Sequence, residues 1–595
     1  MSANNPPYGQ DPDRTTAYNW NQGQQPEHPP PTGQPYPPQQ PYPPQQQPYG
    51  QQGSYGQQQP YNPQQGYGQQ PPSYGQQGQQ QQGWQQQDQA QQGWQQQNQH
   101  AQSGWQQQGP EGFGPAEPDK KGRKTWIIAA AAALAVILFG GGAVWAVGAL
   151  GGGGTQPNDV LPADSIAYAR LDLDPAANQK LALFQLAGKF TVTKDTFKGD
   201  DPRKALFDMI NESADTKVDF AKDVDPWLGS RIGVAAVPSG KEEPDFAVAI
   251  QVKDQEQAKA GLAKLLKGDK YGLSFREDYA LLSTTQQLTD KYAGAEGSLT
   301  DNAKFSEDMG AVGEQGVLSF WADMGGLLSV VGKEFTAAQG PAIDMVKNAR
   351  YAGALRFDSA YVELAGTVRG VDGMLPEGDL PPANLGTLPA TTAGAVSISG
   401  MDQAVTKQWA EIQKQASAAG SNQITQMIQQ AQTQFGLQLP ADLSTVLGKN
   451  FTLAVDSEGL GGDTVKAGAR VATDDPAKAQ AIVDKVLQGM SQGGQGPQVG
   501  KSTGDGVFTL GTTNDYAKKL SEEGTLGDSE TYQTAIADGD GANFAIFADL
   551  DKIENFYLGS MQGDEKANLQ VLRAVGLSGK QSATEATFSL RVLFN

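Results

Sequence analysis

Trp126 to Leu150, WIIAAAAALAVILFGGGAVWAVGAL, is twenty-five residues without a charge. As a helix rising 1.5 Å per residue it would be about 37 Å long. A bilayer core about 30 Å thick asks for about 20 apolar residues, so the run spans with room to tilt. Lys120, Lys121, Arg123 and Lys124 stand directly before it, and Gly151–Asn158 after it has no base. The positive-inside rule then puts the N-terminus in the cytoplasm and the C-terminal domain outside the cell. The run begins 125 residues in and is too long for a signal-peptide core, so it is expected to stay as a signal-anchor. Gly142 and Ala146 stand in small-xxx-small spacing, a helix-packing face.

Residues 1–119 are Gln, Pro, Gly and Tyr with almost no aliphatic side chains. Such a segment cannot bury enough apolar surface to offset its ordering entropy, which predicts disorder. PYPPQQ at 35–40 recurs at 41–46 as a polyproline-prone spacer, and GWQQQ appears at Gly83, Gly93 and Gly104. The segment reads as an entropic tether, or as aromatic stickers for weak self-association or a partner. It is followed by the basic flank 120–124, the apolar run and a Gly-rich spacer, 151–160.

Of the chain's net charge of −21, the tail accounts for −6 and the basic flank for +4, which leaves −19 to the rest. That acidity repels nucleic acid and anionic headgroups, so no nucleic-acid partner is expected. There is no cysteine, hence no disulfide and no acylated-cysteine anchor. The two histidines, His28 and His100, both lie in the tail. Ser-His-Asp and Cys-His catalysis and zinc sites built on His or Cys are thereby excluded from the C-terminal region.

From Leu161 onward the sequence repeats itself. LPADSIAYARLDL (161–173) answers LPATTAGAVSISG (388–400), and PWLGSRIGVAAV (226–237) answers STVLGKNFTLAV (444–455), with Leu228-Gly229 on Leu447-Gly448. At the same offset VKDQEQAK (252–259) meets VATDDPAK (471–478). LLSTTQQL (281–288), GSLTDNAKF (297–305) and FWADM (320–324) meet TLGTTNDY (509–516), GTLGDSETY (524–532) and IFADL (546–550). Six blocks in one order predict two tandem units, 161–370 and 388–595, joined by a Pro/Gly-rich linker at 371–387.

Period-two runs such as Phe246-Val248-Ile250 and Phe451-Leu453-Val455 read as half-buried strands. Asp-Pro pairs at 174–175, 201–202 and 475–476 place a capping carboxylate before a helix-opening proline. A Gln-rich helical run, Met401 to Phe435, breaks near Gly420-Ser421-Asn422 and answers region 176–222. The pattern predicts an α+β fold, antiparallel sheets with helices on one side, twice over.

Candidate chemistry is thin. DGDGAN (Asp538–Asn543) lacks the ligand and glycine that an EF-hand loop requires and reads as a turn before a strand. GLGGD (459–463) and GGQGPQVG (493–500) lack the phosphate-loop context and read as loops. Asp323 and Asp549 hold the same place in both units and read as helix caps rather than as a glycosidase pair. Trp227 becomes Val446 in the second unit, which marks a core position. No Ser-x-x-Lys spacing occurs. No catalytic, cofactor-binding or metal residue is assigned, and no cofactor is expected.

With PWLGSRIGVAAV, DFAVAIQVKD, STTQQLTDK and FWAD in view, residues 161–595 resemble the actinobacterial membrane-protein family of domain of unknown function 3352. The resemblance implies a Pro/Gln-rich cytoplasmic tail and a single span, and it implies no activity. The second unit departs most, having lost the tryptophan and the Asp-Pro before it. The functional expectation is a non-catalytic cell-envelope protein that touches the bilayer through 126–150 and binds or scaffolds an envelope protein or an apolar ligand. The alternatives are a lipid or apolar-ligand carrier and a carboxylate-only glycan hydrolase.

Overall fold

The computed structural model describes residues 154–191, 193–194, 201, 203–204, 207, 218–241, 243–267, 269–330, 346–371, 378–418, 422–462, 464–491 and 498–595. The tail, the basic flank, the apolar run and residues 372–377 of the expected linker lie outside them. Among the described residues no helix is long and apolar enough to cross a membrane.

The first half, 161–370, carries β1 (Ala167–Asp172), β2 (Leu228–Val237), β3 (Asp245–Val252), β4 (Gly272–Arg276), β5 (Tyr279–Ser283), β6 (Leu318–Asp323), β7 (Arg350–Phe357) and β8 (Tyr361–Arg369). Around them lie α1 (Ala177–Ala187), α2 (Gln255–Leu265), α3 (Gln286–Ala293), α4 (Ala303–Val312) and α5 (Met324–Val330). The second half, 388–595, carries β9 (Thr392–Ser399), β10 (Asn450–Asp456), β11 (Ala467–Ala472), β12 (Gly500–Gly504), β13 (Val507–Gly511), β14 (Phe544–Asp549), β15 (Leu572–Gln581) and β16 (Glu585–Phe594). Its helices are α6 (Met401–Ala418), α7 (Asn422–Thr433), α8 (Ala441–Leu447), α9 (Pro476–Ser491), α10 (Asn514–Ser521), α11 (Glu530–Ala535), α12 (Leu550–Tyr557) and α13 (Gly563–Leu569).

The fold is α+β around a large antiparallel sheet. Among the described residues the strands of both halves share one sheet of sixteen. Its order is β4-β5-β3-β2-β1-β6-β7-β8 through the first half and, read from the other edge, β12-β13-β11-β10-β9-β14-β15-β16 through the second. The halves meet where β8 pairs with β16, from Glu585 opposite Arg369 to Leu593 opposite Tyr361.

Caps repeat at matching points. Thr285 accepts from the Leu288 amide at 3.3 Å and starts α3, and Thr513 accepts from Tyr516 at 3.2 Å and starts α10. Asn302 and Ser529 open α4 and α11 in the same manner. One sequence match is corrected. Asp254 caps α2 through the Gln257 amide (2.8 Å) and Asp475 caps α9 through Lys478 (2.9 Å), so Ala258 corresponds to Ala479 and not to Ala477. Ala258 and Ala479 are both fully buried.

The expectation of helices on one side is also corrected. Alternate residues of one strand enter different cores: Ala280 and Leu282 of β5 pack with Ala182 and Leu183 of α1 and Leu262 of α2. Tyr279 and Leu281 pack with Phe305 and Met309 of α4. The first half is therefore covered on both faces, as strand alternation requires of a strand apolar on both sides. The expected spacer and linker are partly structural as well. Pro157–Asp159 form a short 3-10 helix followed by fully buried Val160. Ala383 and Leu385 enter the second-half core beside Tyr532 and Phe547.

Candidate functional site

The carboxylates singled out in the sequence serve the fold. Asp323 accepts from the amides of Gly325 (3.0 Å) and Gly326 (3.3 Å) and from the Lys304 ammonium (2.7 Å), which caps α5. Asp549 accepts from the Lys552 amide at 3.2 Å and caps α12. They lie on β6 and β14, in different halves of the sheet, and form no pair. Asp538 takes φ of 49°, its carbonyl accepts from the amides of Gly541 and Ala542, and the segment is the turn ahead of β14. Trp227 is buried, with its indole donating to the Asp223 carbonyl at 2.6 Å. Gly459 and Gly462 close a turn after β10, and Gly500 begins β12.

Buried acids on one face of the sheet are each held by cations. Asp172 lies against Arg170 and Arg231. Asp308 receives the Trp321 indole (2.8 Å) and the Arg350 guanidinium (2.7 Å). Glu363, at the β8–β16 seam, accepts from Ser589 (2.7 Å), Arg591 (3.0 Å) and Arg356 (3.1 Å). Burial pushes the Glu363 carboxyl up, and its hydrogen bond from Ser589 and the Arg591 charge outweigh this and hold it below the usual range. Carboxylates engaged in this way position strands. Among the described residues no group of three or more His, Cys, Asp or Glu side chains is arranged to hold a metal ion.

The other face is where the chain departs from an ordinary sheet. Cross-strand partners share a face, so one row can be followed through the registers. It runs Phe275, Ala280, Ile250, Ile232, Leu171, Leu318, Leu355 and Leu364 across the first half. It continues through Leu590, Leu577, Ile546, Val396, Leu453, Ala469 and Leu510. The row is apolar at every step until Lys501 on the edge strand β12. Phenylalanine rings lie low across it: a side chain at Gly353, Gly366 or Gly579 would strike Phe320, Phe588 or Phe544 within 2.3–2.7 Å, so only glycine lets the rings lie there.

Cover along this face is unequal. Leu171, Val234 and Ala236 are 6–7 % exposed in the first half, packed in clusters that include α1 and Val330 of α5. The same places of the second half, by register, are Ile398, Leu453 and Val455, and they are 37, 50 and 36 % exposed. Ile546, where the first half has Phe320, is 41 % exposed. Leu453 and Ile546 flank Val396 from either side, so these side chains form one patch over β10, β9 and β14. Phe556 of α12, 54 % exposed, extends it toward Gly461 in the turn after β10. The alternation that predicted these strands identified the face, but nothing in the sequence marks which part of it stays uncovered.

Residues 127–296 match the family model described as Protein of unknown function (DUF3352). Over that stretch the chain is similar to the DUF3352 family. The DUF3352 match begins one residue into the apolar run and ends just after α3, so β6 to β16 and the open patch lie beyond it. No curated protein and no solved structure matches the chain.

Proposed function

We propose that this is a non-catalytic binding protein of the cell envelope, held at the membrane by residues 126–150, whose binding surface is the open apolar patch on β10, β9 and β14. In this reading the tail is cytoplasmic and residues 154–595 are outside, as the bases at 120–124 imply. The two halves are tandem copies of one unit, and the second has given up cover that the first retains. The matching strand orders and the matching caps support the duplication. The observation that carries the binding reading is Leu453 at 50 % exposure where the corresponding Val234 has 6 %. An isolated exposed leucine needs no explanation, but four neighbouring apolar side chains left open where the other half buries its counterparts support a site of interaction.

The absence of native cysteine makes the test direct. Leu453→Cys, Val234→Cys and, on the exposed side of α7, Gln426→Cys are each made in the full chain. Each is treated with a water-soluble maleimide in native membranes and again after purification. The thiol at position 453 should be shielded in membranes and react freely once purified. The thiol at position 426 should react in both states, and the one at position 234 only after denaturation. Equal reactivity at position 453 before and after purification would refute a bound occupant.

A further inference from the structure

We infer that the occupant of the open patch is an acyl chain of a phospholipid drawn from the bilayer to which the chain is anchored. This rests on the binding reading above and names its ligand.

The chemistry of the patch narrows the choice. Ile398, Leu453, Val455 and Ile546 offer hydrocarbon alone, and the ladders on both sides of β9, β10 and β14 are filled by neighbouring strands. No strand edge is free there to receive an extended peptide, which removes recognition by β-strand addition. A second copy is disfavoured by size. Four side chains at 36–50 % exposure present at most a few hundred Å², whereas a stable interface buries about 800 Å² on each partner. A flat strip floored by Phe544 lying across Gly579 suits a slender flexible hydrocarbon.

The anchoring run also places the fold beside a source of such a ligand. Thr155 is pinned to the fold, its carbonyl accepting from the Tyr279 hydroxyl at 2.8 Å. Only Gly151–Gly154 separate it from the end of the apolar run. Four residues extend at most about 14 Å, so in this reading the start of the fold at Thr155 stays near the bilayer surface. The net charge of −19 beyond the basic flank disfavours anionic headgroups, so the lipid is zwitterionic or neutral.

The test uses the full chain reconstituted in phosphatidylcholine vesicles, with a bimane fluorophore on the thiol of Leu453→Cys or, independently, of Ile398→Cys. The vesicles contain phosphatidylcholine carrying a nitroxide quencher on its acyl chain; a parallel sample receives nitroxide-labelled stearic acid instead. The labelled phospholipid should remove most of the fluorescence at both positions and leave bimane on the Gln426→Cys variant bright. Adding Ile546→Gln should restore the signal at position 398 while the melting temperature stays put. Quenching by the free fatty acid alone would overturn the phospholipid assignment, and so would no quenching at either position. If the thiol at position 453 is still shielded in native membranes, that failure touches the ligand only; if it is not, the binding reading fails with it.

Discussion

At the scale of single residues, carboxylates in this protein are structural parts, and their removal should register as lost stability. Asp549→Ala takes away the acceptor of the Lys552 amide and should cost about 1 kcal/mol, the usual value of a helix cap. Asp323→Ala should cost a similar amount, since its ion-pair partner Lys304 is largely exposed. Denaturant midpoints read both, and a change in slope rather than midpoint would contradict the capping role. Glu363 makes a sharper case. Its carboxyl is held below the usual range by Ser589 and Arg591 against the opposing effect of burial. A depressed value means that the folded state favours the charged form. The stabilisation is therefore complete above the unfolded glutamate range and is lost as pH falls through the folded value. Glu363→Gln, which leaves Arg591 and Arg356 without their anion, should cost roughly 3 kcal/mol at neutral pH. It should also flatten the acid limb of the stability profile. An unchanged acid limb would show that the seam does not depend on this charge.

At the scale of elements, the unequal cover of the sheet can be weighed directly. Leu171→Ala removes a side chain 7 % exposed in a packed cluster and should cost about 2–5 kcal/mol. Ile398→Ala, at the matching place with 37 % exposure, should cost roughly 1 kcal/mol or less. Equal losses would mean that the second half is covered in solution. These elements also show what was legible in advance. Strands such as Phe451-Leu453-Val455 and the caps at Asp323 and Asp549 follow from alternation and from side chains that accept backbone amides. The pairing of 252–259 with 471–478 missed by two residues. A shift of two returns every strand side chain to the same face, so the pattern tolerates it, and only the caps at Asp254 and Asp475 fix the register. Helices on both faces were missed for a related reason. Tyr279-Ala280-Leu281-Leu282 is apolar without alternation, which belongs to a strand buried on both sides. The open patch was beyond reach because exposure depends on what packs above a strand, and the strand's own residues do not encode that.

At the scale of the whole molecule, a continuous sheet makes the halves mutually dependent. Phe594, the last residue of β16, packs against the first-half core, and Tyr361, the first of β8, packs against the second-half core. Phe190 meets Phe594 edge-on at 5.9 Å, and the Thr191 amide donates to Asn568 at 2.7 Å. Between these contacts runs the β8–β16 ladder, with Leu364 opposite Leu590 on the apolar face and Glu363 opposite Arg591 on the other. Neither half can unfold without stripping side chains and hydrogen bonds from its neighbour. Calorimetry of the full chain should therefore show one transition for 154–595, with van't Hoff and calorimetric enthalpies in agreement. A chain ending at residue 370 would leave β8 as a long, unpaired edge. Such an edge invites pairing between molecules, so the truncated chain should aggregate while the full chain stays monodisperse. Two separated transitions, or a soluble and cooperatively folded 1–370, would mean that the halves merely abut. The sheet would then be a joint between two domains, and the cover of one half could not be compared with the other as parts of a single structure.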